Sequence, residues 1–96
     1  MVIGDTIVTP ALQDGILPGI VRQAIIAASR ELNINIVEKT LYPSDLLIAS
    51  ECFSSNSLME IQSILSINEH RFAIEAEAII TQRAIEAYFA YKETLL

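Results

Sequence analysis

The hydrophobic period of this chain changes at Pro18-Gly19, which excludes both an all-helical and an all-strand fold. Upstream, Thr6-Ile7-Val8-Thr9 is a short β-branched run ended by Pro10, the pattern of a strand that closes into a loop. A turn-rich stretch then runs to Gly19. Downstream, Ile20, Val21, Ala24, Ile25, Ala28 and Leu32 recur at helical spacing, and Pro18 suits a first turn, where its missing N–H would lack a partner anyway. Asn33 and Asn35 suit the exit of that helix, where a left-handed residue is often needed.

The rest of the chain extends this alternation. Ile34, Ile36-Val37 and Leu41 suggest a second strand, and Ser44 can cap a brief helix over residues 45–49. Cys52-Phe53 begins another extended piece, Ser54-Ser55-Asn56-Ser57 reads as a loop, and residues 61–67 alternate as a further strand. Residues 73–95 lack Gly and Pro and are rich in Ala, Glu and Ile, which predicts one long helix. The order is strand-helix-strand-helix-strand-strand-helix. That is an α/β pattern with a mixed, α+β-like sheet, in one domain over residues 1–96.

Charge and cysteine content narrow the function. Twelve acidic residues against six basic ones give a net charge of −6, and the bases are scattered, which argues against a nucleic-acid partner. A single cysteine, Cys52, excludes an intrachain disulfide framework and suits a reducing, cytoplasmic setting. Charges or turn residues interrupt every apolar run, and the first ten residues lack the pattern of a secretion signal, so neither a membrane span nor export is expected. A mean hydropathy of +0.44 is high for 96 residues. Some apolar surface should therefore meet another copy, making a homo-oligomer, or face a complementary part of the molecule.

Two places are built like anion sites. At Leu17-Pro18-Gly19-Ile20-Val21-Arg22, a glycine at a helix start allows close approach to free first-turn N–H groups; many such helix starts bind nothing. Ser54-Ser55-Asn56-Ser57 offers small hydroxyl and amide groups, but its simpler reading is an ordinary turn unless the two loops lie side by side. Other candidates are poorer. His70, the only histidine, leaves no metal cluster and reads as an exposed loop residue. Cys52 reads as a packing residue, and Lys39 and Lys92 as solvated. Glu75, Glu77, Glu86 and Glu93 read as one solvated helix face.

Thr9, followed after seven residues by Leu17-Pro18-Gly19-Ile20-Val21-Arg22, resembles the second half of the signature of class IV pyridoxal-phosphate enzymes. These are the branched-chain and D-amino-acid aminotransferases and aminodeoxychorismate lyase. The likeness continues through LPGIVRQAIIAASRELNINIVEKTL, through SECFSSNSLMEI, and through Thr81-Gln82-Arg83 and Glu86-Ala87-Tyr88-Phe89. Asn56-Ser57-Leu58-Met59 is closer to the lyase-like members.

The resemblance implies the C-terminal portion of the fold-type-IV large domain. Gly19 would open the helix start, and the backbone N–H groups of Ile20 and Val21 would hold the phosphate of pyridoxal 5′-phosphate. Ser57 would hold it from the other side, and the amide of Leu58 would lie near the substrate carboxylate. The family's Schiff-base lysine and its pyridine-binding glutamate match positions upstream of this sequence, and neither Lys39 nor Lys92 takes their place. The chain therefore offers no catalytic residue and no metal ligand of its own. It should act with a complementary N-terminal half, or stand as a non-catalytic, self-associating module. Family members also carry a glycine-rich loop before the last helix. Here residues 73–80 are helix formers, which predicts extra helix reaching back to Ala73.

Overall fold

A computed structural model describes residues 1–11, 19–56, 60–73 and 77–94. Its centre is a strand–helix–strand unit: β2 (Thr6–Thr9), α1 (Ile20–Glu31) and β3 (Ile36–Glu38), with β2 and β3 parallel and Thr9 opposite Glu38. The parallel pairing requires α1 to run back along the strands, so the helix begins beside their C-terminal ends. Asn33 ends it in the left-handed conformation at φ 59°, as its residue type suggests. Asn33 N–H bonds to Arg30 O and Ile34 N–H to Ser29 O, the paired bonds that close a helix through such a residue.

A strand not read from the sequence, β1 (Val2–Ile3), pairs antiparallel with β2 through a two-residue turn at Gly4-Asp5. Gly4 sits at φ +64°, a conformation that costs glycine nothing. β1 also pairs antiparallel with β4 (Ala49–Glu51), giving a mixed four-stranded sheet in the order β3-β2-β1-β4. The remainder forms two hairpins and a second helix. β5 (Phe53–Asn56) pairs with β6 (Glu60–Ser63), and β7 (Ser66–Ile67) with β8 (His70–Arg71); α2 covers Ile79–Thr94.

Four local expectations need correction. Ser54-Ser55-Asn56 is strand, not loop, because β6 supplies its partners: Ser54 faces Gln62 and Ser55 faces Ile61. The expected strand over residues 61–67 is two strands: Ile64 N–H still meets the carbonyl of Cys52 at 2.8 Å in the β5–β6 register, but Ser66 and Ile67 pair instead with Arg71 and His70. The brief helix is a 3-10 turn, Pro43–Leu47, and Asp45 caps it in place of Ser44, its carboxylate accepting the N–H of Tyr42 at 2.7 Å. The last helix starts at Ile79, not Ala73. Ala73 donates its N–H to Ser50 O at 2.9 Å, and the buried Glu51 carboxylate accepts the N–H groups of Ile80 (3.2 Å) and Thr81 (2.6 Å). These long-range partners fix the helix start against a local sequence that favours more helix.

The core is divided among three clusters. Val2, Ile7, Ala28, Ile34, Ala84 and Ala87 join the sheet to both helices, and the alanines let α1 and α2 approach closely. Val21, Ile25 and Tyr88 hold Phe53 and Ile61, which lays the β5–β6 hairpin against α1. Ala49, Cys52 and Phe72 fill the other end. Cys52 is buried packing, as expected, and burial raises its thiol pKa. Among the described residues the exposed apolar surface is shared between α2, where Ile79 stands out, and the rest of the chain: Ile20, Tyr42, Leu47, Ile48 and Ile79 are each more than 60% exposed.

Candidate functional site

Gly19 stands at the N-cap of α1 with extended backbone (φ −72°, ψ 140°) and no side-chain cap. The first intrahelical bond runs from Gln23 N–H to Gly19 O at 3.1 Å. The N–H groups of Ile20, Val21 and Arg22 therefore precede the helical ladder and point outward from the helix start. No acidic side chain occupies the first turn. The positive end of the helix dipole is thus uncompensated on α1 itself, the condition an anion needs. Packing among the described residues does not demand glycine at position 19, since a Cβ there would meet Arg22 alone, its Cβ at 3.7 Å and its backbone nitrogen at 3.9 Å. What glycine leaves is room over the donors.

Next to this helix start a cleft of about 220 Å³ opens at the C-terminal end of β2. Thr9, Arg22, Phe53 and Ser55 line it, so the β5 strand shares one cavity with the first turn of α1. The two stretches singled out as anion sites are therefore brought together as far as Ser55. Ile20 is 83% exposed, whereas the Val21 side chain packs into the core and leaves only its backbone for a ligand. Ser57 and Leu58 lie outside the described residues.

Within the two stretches singled out from the sequence, Arg22 and Ser55 are given no role of their own, yet both line the cleft. Arg22 is turned inward and only 11% exposed, binding Thr9 and Glu38 on the two strand ends. Glu60, at φ 59°, accepts the Tyr88 hydroxyl (2.7 Å) and the Lys92 ammonium (2.9 Å). The sequence signal for the Arg22 contacts is the cation itself, since a positive charge in a first turn opposes the helix dipole and calls for a partner elsewhere.

The lysines are poorly placed for covalent chemistry. The hydrogen bond to Glu60 raises the pKa of Lys92, whereas imine formation needs a lysine whose pKa is lowered. Lys39 is exposed beyond β3, with its backbone N–H on Thr9 O at 3.0 Å. His70 is half-buried rather than a free loop residue, its Nε2 3.2 Å from Ala49 O and its ring edge-on to Phe72. Glu77 precedes α2 instead of sharing its face with Glu86 and Glu93, and Glu75 lies outside the described residues. Among the described residues no three His, Cys, Asp or Glu side chains come together, and no helix is long and apolar enough to cross a membrane.

The model of the family "Amino-transferase class IV" matches residues 1–67, which contain β1 to β7 and α1 with its helix start. The chain belongs to the class IV amino-transferases. A probable branched-chain-amino-acid aminotransferase of Thermotoga maritima is 29% identical over 82 residues, 85% of this chain and 30% of that protein. Among solved structures, an aminotransferase from Brucella abortus bound to the co-factor PLP superposes with a TM-score of 0.85 at 30% identity, covering 95% of this chain and 31% of its own. A putative 4-amino-4-deoxychorismate lyase from Legionella pneumophila gives 0.84 at 28% identity, covering 94% and 33%. The chain thus spans a third or less of the length of the class IV proteins it matches, and its mixed α/β fold is a portion of theirs.

Proposed function

We propose that this chain supplies the phosphate-holding part of a class IV pyridoxal-phosphate enzyme and works with a segment that carries the Schiff-base lysine. One observation carries the reading: Arg22 of the first turn of α1 and Ser55 of β5 line one cleft at the C-terminal end of β2, beside an uncapped helix start. In open α/β sheets, phosphate groups bind at such strand ends. The N–H groups of Ile20 and Val21 would hold the phosphate across the gap left by Gly19, with the Ser57 hydroxyl and amide on its other side. The amide of Leu58 would then meet the substrate carboxylate. When bound, pyridoxal phosphate supplies the electron sink for amino-group transfer, or for elimination from a chorismate-derived amine.

This chain's own work is to bind and orient. Neither Lys39 nor Lys92 is positioned as a nucleophile, so the cofactor would be held by its phosphate alone and reversibly. The single buried cysteine suits a cytoplasmic protein. A second reading, a non-catalytic self-associating module, is favoured by the exposed Ile20, Tyr42, Leu47 and Ile48.

Dialysis after incubation with pyridoxal phosphate tests the first reading. Reversible binding displaced by inorganic phosphate, and weakened by Ser57→Ala, is expected. Cofactor that survives dialysis and is lost on replacing Lys39 or Lys92 would overturn the assignment of no covalent role. Affinity indifferent to both Ser57→Ala and Gly19→Asp would remove the pocket itself.

A further inference from the structure

Arg22 makes three contacts, and they join three parts of the chain. Its Nε donates to the Thr9 hydroxyl at 3.3 Å, and its Nη2 donates to the Pro10 carbonyl at 2.7 Å and to Glu38 Oε1 at 3.0 Å. Thr9 ends β2, Pro10 opens the segment that leads to the helix, and Glu38 ends β3. Arg22 itself is the third residue of α1.

A cation at that position is disfavoured by the helix dipole, so the placement needs a compensating role. The geometry supplies one. The guanidinium closes the path between Pro10 and the first helical turn and moors both to the two strand ends. We propose that Arg22 is a positioning residue for the phosphate site, aiming the N–H groups of Ile20 and Val21 without touching the anion. This inference rests on the phosphate reading above.

The alternative is that Arg22 binds the anion directly. Its present contacts oppose that, since one guanidinium nitrogen serves both Pro10 and Glu38 and the side chain is nearly buried. The two roles also predict opposite signs for one substitution. If Arg22 were an anion ligand, Glu38→Gln would free its charge and tighten phosphate binding. If Arg22 is a clamp, Glu38→Gln loosens the first turn and weakens binding. Lysine cannot replace the planar fork that reaches Thr9 and Pro10 together, so Arg22→Lys should also weaken binding while keeping the charge.

The experiment uses the 96-residue chain, with inorganic phosphate as probe and backbone amide NMR as readout. For the clamp, Glu38→Gln should lower phosphate affinity by roughly threefold, a modest effect because Glu38 is partly solvated. Arg22→Lys should lower it by about tenfold, the worth of one hydrogen bond to a charged group. Without ligand, both variants should speed exchange of the Gln23 amide, the first of the helical ladder, while the Ala84 amide in the core exchanges as before. Tighter phosphate binding in Glu38→Gln would overturn the proposal. So would unchanged Gln23 exchange in both variants. If phosphate fails to shift the Ile20 and Val21 amides of the parent chain, the phosphate reading fails. The ligand-free exchange then still decides whether Arg22 is a clamp.

Discussion

The carboxylate of Glu51 reaches from β4 to the start of α2 and accepts the N–H of Thr81 at 2.6 Å. The same group takes the N–H of Ile80 at 3.2 Å, so a sheet residue caps a helix about thirty positions away in sequence. Glu51→Ala should strand one buried donor and one part-buried donor and cost about 2–3 kcal/mol of folding stability. Glu51→Gln keeps one acceptor oxygen and should cost less. Urea unfolding measures the loss, and faster exchange of the Ile80 and Thr81 amides locates it. An unchanged urea midpoint in Glu51→Ala would show that solvent caps the helix equally well.

Glu60 predicts a pH window for stability. Hydrogen bonds from Tyr88 and then Lys92 hold its carboxyl below the ordinary glutamate value of 4.5. A depressed acid contributes stability above its ordinary value and loses it as pH falls through the lower, folded one. The hydrogen bond to Glu60 raises both Tyr88 and Lys92, whose contributions are complete below their ordinary values of 10.0 and 10.5 and are lost at higher pH. Glu60→Gln removes the hub. The difference in urea midpoint between parent and variant should be greatest between about pH 5 and pH 10 and shrink on either side. A difference that stays constant with pH would mean these groups do not share charge.

The strand–helix–strand unit was legible because its signals are local. Pro18-Gly19 marks the change of period, the apolar residues of α1 fall at helical spacing, and Asn33 takes the left-handed exit. The opposite holds where distant partners decide. β1 is only Val2 and Ile3, too short for any period. Ser54-Ser55-Asn56 has loop composition and is strand only because β6 pairs with it. Residues 73–78 are good helix formers, yet Ser50 holds Ala73 and Glu51 sets the helix start further on. The free first-turn N–H groups could be placed from the Pro-Gly step, but the Arg22 contacts could not, since Glu38 is sixteen residues away on another strand.

Gly19→Asp should separate stability from binding. Aspartate is a favourable N-cap and the backbone at position 19 already has the extended conformation a cap adopts. Its carboxylate would take up first-turn N–H groups and raise helix stability by a few tenths of a kcal/mol. The same carboxylate would occupy the anion's place. Phosphate affinity should fall by about tenfold or more, the worth of at least one hydrogen bond to a charged group. Calorimetry and urea unfolding on one sample check both signs. Undiminished phosphate binding would place the anion elsewhere.

Ile20→Pro tests the donor rather than the side chain. Ile20 is the first residue of α1, where proline is welcome because no helical bond uses that N–H. Gly19, at φ −72° and ψ 140°, has the conformation that a residue before proline prefers. The isoleucine side chain is 83% exposed, so replacing it disturbs little packing. Helix content by circular dichroism should therefore be unchanged, and stability equal or higher by about 0.5 kcal/mol. Phosphate binding should weaken by about 10- to 100-fold, because a hydrogen bond to a charged group is worth about 1.5–3 kcal/mol. Ile20→Ala keeps the N–H and should bind as the parent does. Equal affinity in Ile20→Pro and the parent would mean that this amide does not face the anion. Equal losses in Ile20→Pro and Ile20→Ala would mean that the exposed side chain contributes the contact and the backbone does not.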